Sequence, residues 1–346
     1  MQHKSTKQII RKFLGPTLQL VGYSTGLMRL TSLIQKIDGA MILMYHSVAS
    51  DSDSKWIDPA NHVPTDIFAR QMKYLSNKRK VISLDELVKL LLQGKTPQKK
   101  TVVITFDDGY LDNLTIAAPI LDYYRLPATL FLPSGYIDRG ENQWIDQAFC
   151  AFKFRRNHTL DLIADLSVFF NLNSLKDSKI AYATVCKELL TATAKKRKIL
   201  ISNLFEQLQP IEHPPRLIMD WNDVRKLLTA HKCFQIGGHT MEHTDLTGVS
   251  FQEAEAELIG CIKRIEAELG FQPKYFSFCY GRTSTKLQIL AAKSGFEGAC
   301  GEENLDPVIR SSGDPLRLPR IAAPSTMQGF NLFTNSLNTG FWRKLH

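Results

Sequence analysis

Five short, almost wholly apolar runs do most to limit what this chain folds into: residues 41–45, 102–106, 128–132, 234–237 and 275–279. Runs of this length suit strands covered on both faces, the kind found in parallel sheets. Helical patterns separate them. Apolar residues recur at helical spacing through residues 66–79. Ser83 with Glu86 forms a capping box before a leucine-rich stretch, and Ser250 with Glu253 opens another helix that ends near Gly270. Ser284 or Thr285 caps a further helix, which ends at Gly295. This strand–helix rhythm predicts an α/β fold with a parallel sheet, open or closed into a barrel.

The rhythm breaks between about residues 138 and 215, which are polar, basic and mostly helical in pattern and close on Pro210, Pro214 and Pro215. The stretch reads as a helical insertion rising from one barrel loop, not as a separately folding domain. Such inserts either shape a substrate groove or cover the barrel's flank. The barrel itself is expected over residues 41–325, after a basic segment at 1–40 and before a C-terminal tail at 326–346. With 346 residues, 44% of them hydrophobic and 22% charged, the chain has material for such a core and lacks the bias of a disordered one.

Charge is unevenly placed. The net +9 owes much to the first forty residues, where Lys4, Lys7, Arg11, Lys12, Arg29 and Lys36 face only Asp38. Residues 13–34 form an apolar run behind that basic start, but Pro16, Gln19 and Arg29 interrupt it, which argues against a signal peptide or a spanning helix. Two readings stay open: a peripheral amphipathic segment within residues 1–36 lying on an anionic membrane surface, or a helix packed on the domain. A second cluster, Lys195, Lys196, Arg197 and Lys198, reads as a solvated face, and no motif supports a nucleic-acid partner. Cys150, Cys186, Cys233, Cys261, Cys279 and Cys300 are scattered without a paired motif. No disulfide framework is expected from them, and a reducing, cytoplasmic location is, reaching the inner membrane face if the N-terminal segment binds there.

Two polar motifs follow apolar runs directly. Thr105-Phe106-Asp107-Asp108-Gly109-Tyr110 ends one run, and His239-Thr240-Met241-Glu242-His243 follows another. Adjacent carboxylates at a strand end repel unless a positive charge sits among them, which a metal ion supplies. Asp-Gly is also ordinary turn chemistry, and a pair of histidines four apart is also found in structural roles. Taken together, one carboxylate and two imidazoles make a facial ligand set with open positions, as hydrolytic and oxidative metal sites require. His46 and Tyr280-Gly281 follow two more of the runs, so four polar sites gather at the strands' C-terminal ends, where barrel active sites lie.

In these motifs the chain resembles the polysaccharide deacetylases of carbohydrate esterase family 4, with the NodB homology fold. The T-F-D-D-G and H-T-x-x-H motifs stand in the family's order, about 130 residues apart. Met44-Tyr45-His46 matches an opening strand, Asp220-Trp221 with Val224 and Leu227 a helix ahead of the histidines, and Leu318-Pro319-Arg320-Ile321 a closing strand. The resemblance covers residues from about 41 to 325 and implies a distorted (β/α) barrel with fewer strands than the standard eight. It further implies that Asp108, His239 and His243 hold a divalent metal ion, zinc before others. Asp107 is then the general base toward the attacking water, the Tyr280 N–H stabilises the oxyanion beside the metal, and Thr240 supports the site by hydrogen bonding. The implied activity is removal of N-acetyl groups from amino sugars of a polysaccharide or lipid-linked glycan.

The chain departs from the family pattern twice. The third motif often carries Arg-x-Pro before an aromatic-Gly pair, and here those positions are Ser277 and Cys279, ahead of Tyr280-Gly281. The arginine that orients the base is therefore missing from its place, with Arg320 or Arg282 as stand-ins. No C-terminal Leu-x-His supplies a general acid. His46 is the candidate by position, or else a supporting or core histidine. Other readings therefore stand beside the deacetylase: a deformylase, cyclic-amide or O-acetyl hydrolase on the same scaffold, or a glycan-binding homologue without activity.

Overall fold

The computed structural model describes residues 39–163, 167–301 and 306–335. The basic segment at 1–38, on which the amphipathic reading rests, and residues 336–346 lie outside the described residues.

The strands are β1 (Ala40–Tyr45), β2 (Lys80–Val81), β3 (Thr101–Asp107), β4 (Ala128–Leu132), β5 (Thr159–Ile163), β6 (Ser167–Asn171), β7 (Phe234–Gly238), β8 (Tyr275–Ser277), β9 (Gly298–Cys300) and β10 (Ile321–Ala322). Seven of them follow one path, β10-β1-β3-β4-β7-β8-β9, and the two-residue β2 pairs with β3 beside it. Every pairing in this sheet is parallel. A short segment fastens its two edges. Leu318 bridges Cys300 of β9, and Ile321 and Ala322 pair with Leu43 and Met44 of β1. The sheet thus curls back on itself into the expected distorted barrel.

Between the strands run α1 (Thr65–Lys78), α2 (Leu84–Leu92), α3 (Ala118–Tyr124), α4 (Ser134–Arg139), α5 (Trp144–Lys153), α6 (Leu175–Thr191), α7 (Ala194–Leu208), α8 (Trp221–Ala230), α9 (Phe251–Leu269), α10 (Thr285–Ser294) and α11 (Met327–Asn335). Their caps follow the sequence signals. Ser83 accepts the Glu86 N–H at α2, Ser250 and Glu253 cap each other's backbone at α9, and Ser284 rather than Thr285 caps α10. Gly270 and Gly295 end their helices in left-handed backbone. No helix among the described residues is long and apolar enough to cross a membrane.

The two faces of β3 show how the sheet divides the core. Val102, Ile104 and Phe106 join an apolar layer with Phe68 and Met72 of α1, Leu121 of α3 and Val224 and Leu227 of α8. Val103 joins the opposite cluster with Ile42, Phe131 and Tyr275. Strand alternation puts Thr105 and Asp107 on this second, inner face. Gly237 of β7 is required there, because a Cβ would stand 2.4 Å from the Phe131 ring.

Three segments differ from their sequence reading. The run at 275–279 ends as a strand at Ser277, and Cys279–Gly281 forms a tight turn instead. The insertion holds α5, α6 and α7 but also the antiparallel hairpin β5–β6. Leu160 of that hairpin is buried while Asp161 is exposed. A period-2 signal over so few residues is lost in a polar, helix-rich stretch. Residues from 327, read as the start of a tail, form α11, whose Phe330 is buried against Tyr74.

Candidate active site

Asp107 closes β3 on the inner face, 2% exposed. Arg320, from the segment that fastens the barrel, meets both of its oxygens, with Nη1 to Oδ1 at 2.7 Å and Nη2 to Oδ2 at 2.6 Å. Ser277, which stands where the family pattern has its arginine, accepts from Arg320 Nη2 at 2.6 Å. A short side chain at 277 thus leaves room for a guanidinium arriving from the other edge of the barrel. Arg282, the other stand-in, pairs with Asp245 at 2.7 Å instead. Burial alone raises the Asp107 pKa, but the guanidinium, joined by His239 and His46, outweighs it and holds the carboxyl well below the usual carboxylate range. Asp107 is therefore ionised and fixed in orientation.

Asp108 turns the chain out of the strand in left-handed backbone (φ 73°). Its Oδ1 is buried and accepts no hydrogen bond, yet two imidazoles face it: His243 Nε2 at 3.2 Å and His239 Nε2 at 3.6 Å. The far side of each ring is already engaged. His239 Nδ1 lies 2.7 Å from the Ser277 carbonyl, and His243 Nδ1 lies 3.0 Å from the Tyr280 hydroxyl. A proton on each Nδ1 leaves each Nε2 lone pair turned toward Asp108. An orphaned buried carboxylate oxygen between two such lone pairs fits a divalent cation. Cys279 offers a second donor set, since ligand atoms of His239, His243 and Cys279 lie within 4.8 Å of one another. The Asp108 set is the better fit, because Cys279 Sγ stands 3.8 Å from His239 Nδ1, the nitrogen already bonded to Ser277.

Burial lowers the basicity of both imidazoles, but Cys279 and Asp107 beside His239, and Tyr280, Cys279 and Asp108 beside His243, outweigh it and raise both above the ordinary histidine value. Either a proton or a metal ion answers that demand for positive charge.

The remaining candidates sit on the same rim. His46 follows β1 and is half-buried; burial lowers its pKa, while Asp108 and Asp107 act to raise it. Tyr280 lies in left-handed backbone (φ 59°). The hydrogen bonds of its turn run from the Gly281 N–H to Phe278 and from the Arg282 N–H to Cys279. Thr240 Oγ1 accepts the Thr244 N–H at 3.0 Å and so tightens the histidine loop. Asp108, Thr240, His243 and Tyr280 are four of the seven non-glycine residues with positive φ among the described residues. Such strain collects where the surrounding structure must hold a precise arrangement.

Sequence reasoning missed three supports of the histidine loop. Glu257 of α9 accepts the N–H groups of Met241 and Glu242 at 2.8 and 3.0 Å. Its signal was a carboxylate one residue from Leu258 on a helix face that buries Ala254 and Cys261. Arg197, read within a solvated basic cluster, is 3% exposed. It donates to the carbonyls of Glu242 and His243 at 3.1 and 3.5 Å, while Lys195, Lys196 and Lys198 are exposed. Arg197 lies seven residues before Leu204, on the buried stripe of α7, and that spacing was the available signal. Trp144 of α5 donates its indole N–H to the Tyr280 hydroxyl at 2.9 Å.

A family model described as polysaccharide deacetylase matches residues 94–299. The chain belongs to the polysaccharide deacetylase family. YxkH of Bacillus subtilis, assigned by its name to the polysaccharide deacetylases, is 40% identical over 92 residues, 26% of this chain and 30% of that protein. The Staphylococcus aureus poly-beta-1,6-N-acetyl-D-glucosamine N-deacetylase is 29% identical over 174 residues, 44% of this chain and 53% of that one. The matches thus span about half or less of these relatives' own length. Among solved structures, the Streptococcus pyogenes deacetylase PplD in complex with acetate superposes with a TM-score of 0.54 at 16% identity, covering 87% of this chain and 98% of its own. That likeness shows the polysaccharide deacetylase fold here.

Proposed function

We propose that this member of the family is a metal-dependent hydrolase that removes N-acetyl groups from amino sugars of a glycan. The observation that carries the reading is the buried, unpartnered Oδ1 of Asp108 facing two imidazole Nε2 atoms, beside an Asp107 that Arg320 keeps ionised. Asp108, His239 and His243 would hold the metal, with zinc the first ion to test. Bound there, a divalent cation supplies Lewis acidity and makes water nucleophilic near neutral pH.

The chain's own groups divide the remaining work. Asp107 takes the proton from the attacking water; its Oδ1 keeps a lone pair beyond its bond to Arg320, whereas Oδ2 accepts from both Arg320 and Ser277. The Tyr280 N–H is the donor for charge developing on the acetyl oxygen. The C–N bond breaks, the amine takes up a proton, and acetate leaves; His46 is the candidate proton donor. Arg320 in place of the family's usual arginine weakens the reading of a decayed, non-catalytic site. The similarity to the Staphylococcus aureus enzyme makes β-1,6-linked N-acetylglucosamine oligomers the first substrate to try. Peripheral attachment through residues 1–36 at an anionic inner membrane face belongs to the same proposal and is testable by sedimentation with anionic vesicles.

The deciding experiment measures acetate released from these oligomers with zinc, with chelator, and with Asp107→Asn. Release that chelation and the substitution both abolish supports the deacetylase. Bound zinc without release points to a formyl, cyclic-amide or O-acetyl substrate.

A further inference from the structure

The insertion reaches behind His243 at two points. Arg197 of α7 donates to the carbonyls of Glu242 and His243, and Trp144 of α5 donates to the Tyr280 hydroxyl, which meets His243 Nδ1. The Arg197 guanidinium also lies 5.7 Å from the Trp144 ring centre, so the two supports pack on each other. Trp144 is 5% exposed and Tyr280 packs against the insertion's own apolar cluster, so the contact is an interior one.

A hydroxyl has one donor and two acceptor sites. When Nε2 of His243 faces a cation, Nδ1 keeps its proton and donates to the Tyr280 oxygen. The indole N–H of Trp144 takes the second lone pair, and the phenolic O–H points to the His243 carbonyl at 3.3 Å. All three sites are then filled, and the oxygen can neither swing away from the ring nor present its hydrogen to Nδ1.

We propose that Trp144 is a positioning residue: acting through the Tyr280 hydroxyl, it holds His243 with Nε2 turned toward Asp108, which makes the insertion a working part of the metal site. The inference rests on the metal-binding reading of Asp108, His239 and His243.

Zinc affinity of the full chain, measured by competition with a chromophoric chelator, tests it. Removing a partner that orients a ligating histidine costs about 10–100-fold in metal affinity. Trp144→Phe keeps a ring in the pocket and removes the N–H; it is expected to weaken zinc by about tenfold, toward the lower end of that range. Tyr280→Phe is expected to weaken zinc at least as much. In the Tyr280→Phe background, Trp144→Phe should change nothing further, whereas a packing role would give the same loss in both backgrounds. Unchanged affinity in Trp144→Phe, or equal losses in the two backgrounds, overturns the inference while the metal site stands. No zinc binding by the wild-type protein overturns the metal-site reading, and this inference with it.

Discussion

Asp107 keeps its charge out of water because a guanidinium with matching geometry meets both of its oxygens. Asp107→Asn is expected to retain zinc and lose about 10²–10⁴-fold in turnover, the usual contribution of a general base. Asp108→Asn, one residue on, is expected to lose zinc itself, by the same chelator competition. Arg320→Met leaves the carboxylate buried and unpaired, and is expected to cost about 3–5 kcal/mol in denaturant unfolding at neutral pH. A carboxylate with a depressed folded pKa contributes stability that is fully present above its unfolded value of about 3.9 and is lost as pH falls toward the folded one. The pair should therefore hold down to about pH 4 and weaken below it. The double variant Asp107→Asn/Arg320→Met should show a flatter acid limb than the wild type; an equally steep limb would mean that other carboxylates dominate. Residue types and positions were legible here, since D-D-G and H-T-x-x-H each follow a buried strand. Which arginine serves Asp107 was not, because only closure of the barrel decides whether Arg320 or Arg282 arrives.

At the scale of elements, the insertion is tied down by α5. Asp146 on this helix accepts the Tyr110 hydroxyl at 2.6 Å and the Asp58 N–H at 2.8 Å. Burial pushes the Asp146 pKa up to about 7. A carboxyl raised in the folded state contributes stability that is fully present below its unfolded value and is lost as pH rises from about 4 to about 7. Asp146→Asn does not titrate. Its stability relative to the wild type should therefore rise between pH 5 and pH 8 in urea unfolding, and a constant difference would show that Asp146 stays in one protonation state over that range. The helices and parallel strands were legible from caps and apolar runs because their partners are other regular elements. The hairpin of the insertion and the burial of Arg197 were hidden, since a polar stretch announces neither a short strand pair nor which of four adjacent basic residues turns inward.

At the scale of the whole molecule, the parallel sheet of the barrel has two edges, and residues 315–322 join them. A ligand that binds only the folded form stabilises it by mass action, so zinc at a hundredfold excess over its Kd should add about 2.7 kcal/mol and raise the melting temperature, with chelator reversing the shift. A melting curve indifferent to both would argue against a resident metal. The barrel as a class was legible because strands apolar on both faces need cover on both faces; the closing strand was marked only by the family resemblance of Leu318-Pro319-Arg320-Ile321, since Ile321–Ala322 is too short to stand out as an apolar run. The fastening also imposes an order of events. Synthesis proceeds toward the C-terminus, so a nascent chain has Asp107, Asp108, His239 and His243 well before it has Arg320. A polypeptide halted between residues 300 and 319 would carry the three residues proposed to hold the ion and no Arg320 guanidinium to steady Asp107. The base is thus steadied only when the last stave is laid, so the closing segment sets the order in which the candidate site is assembled.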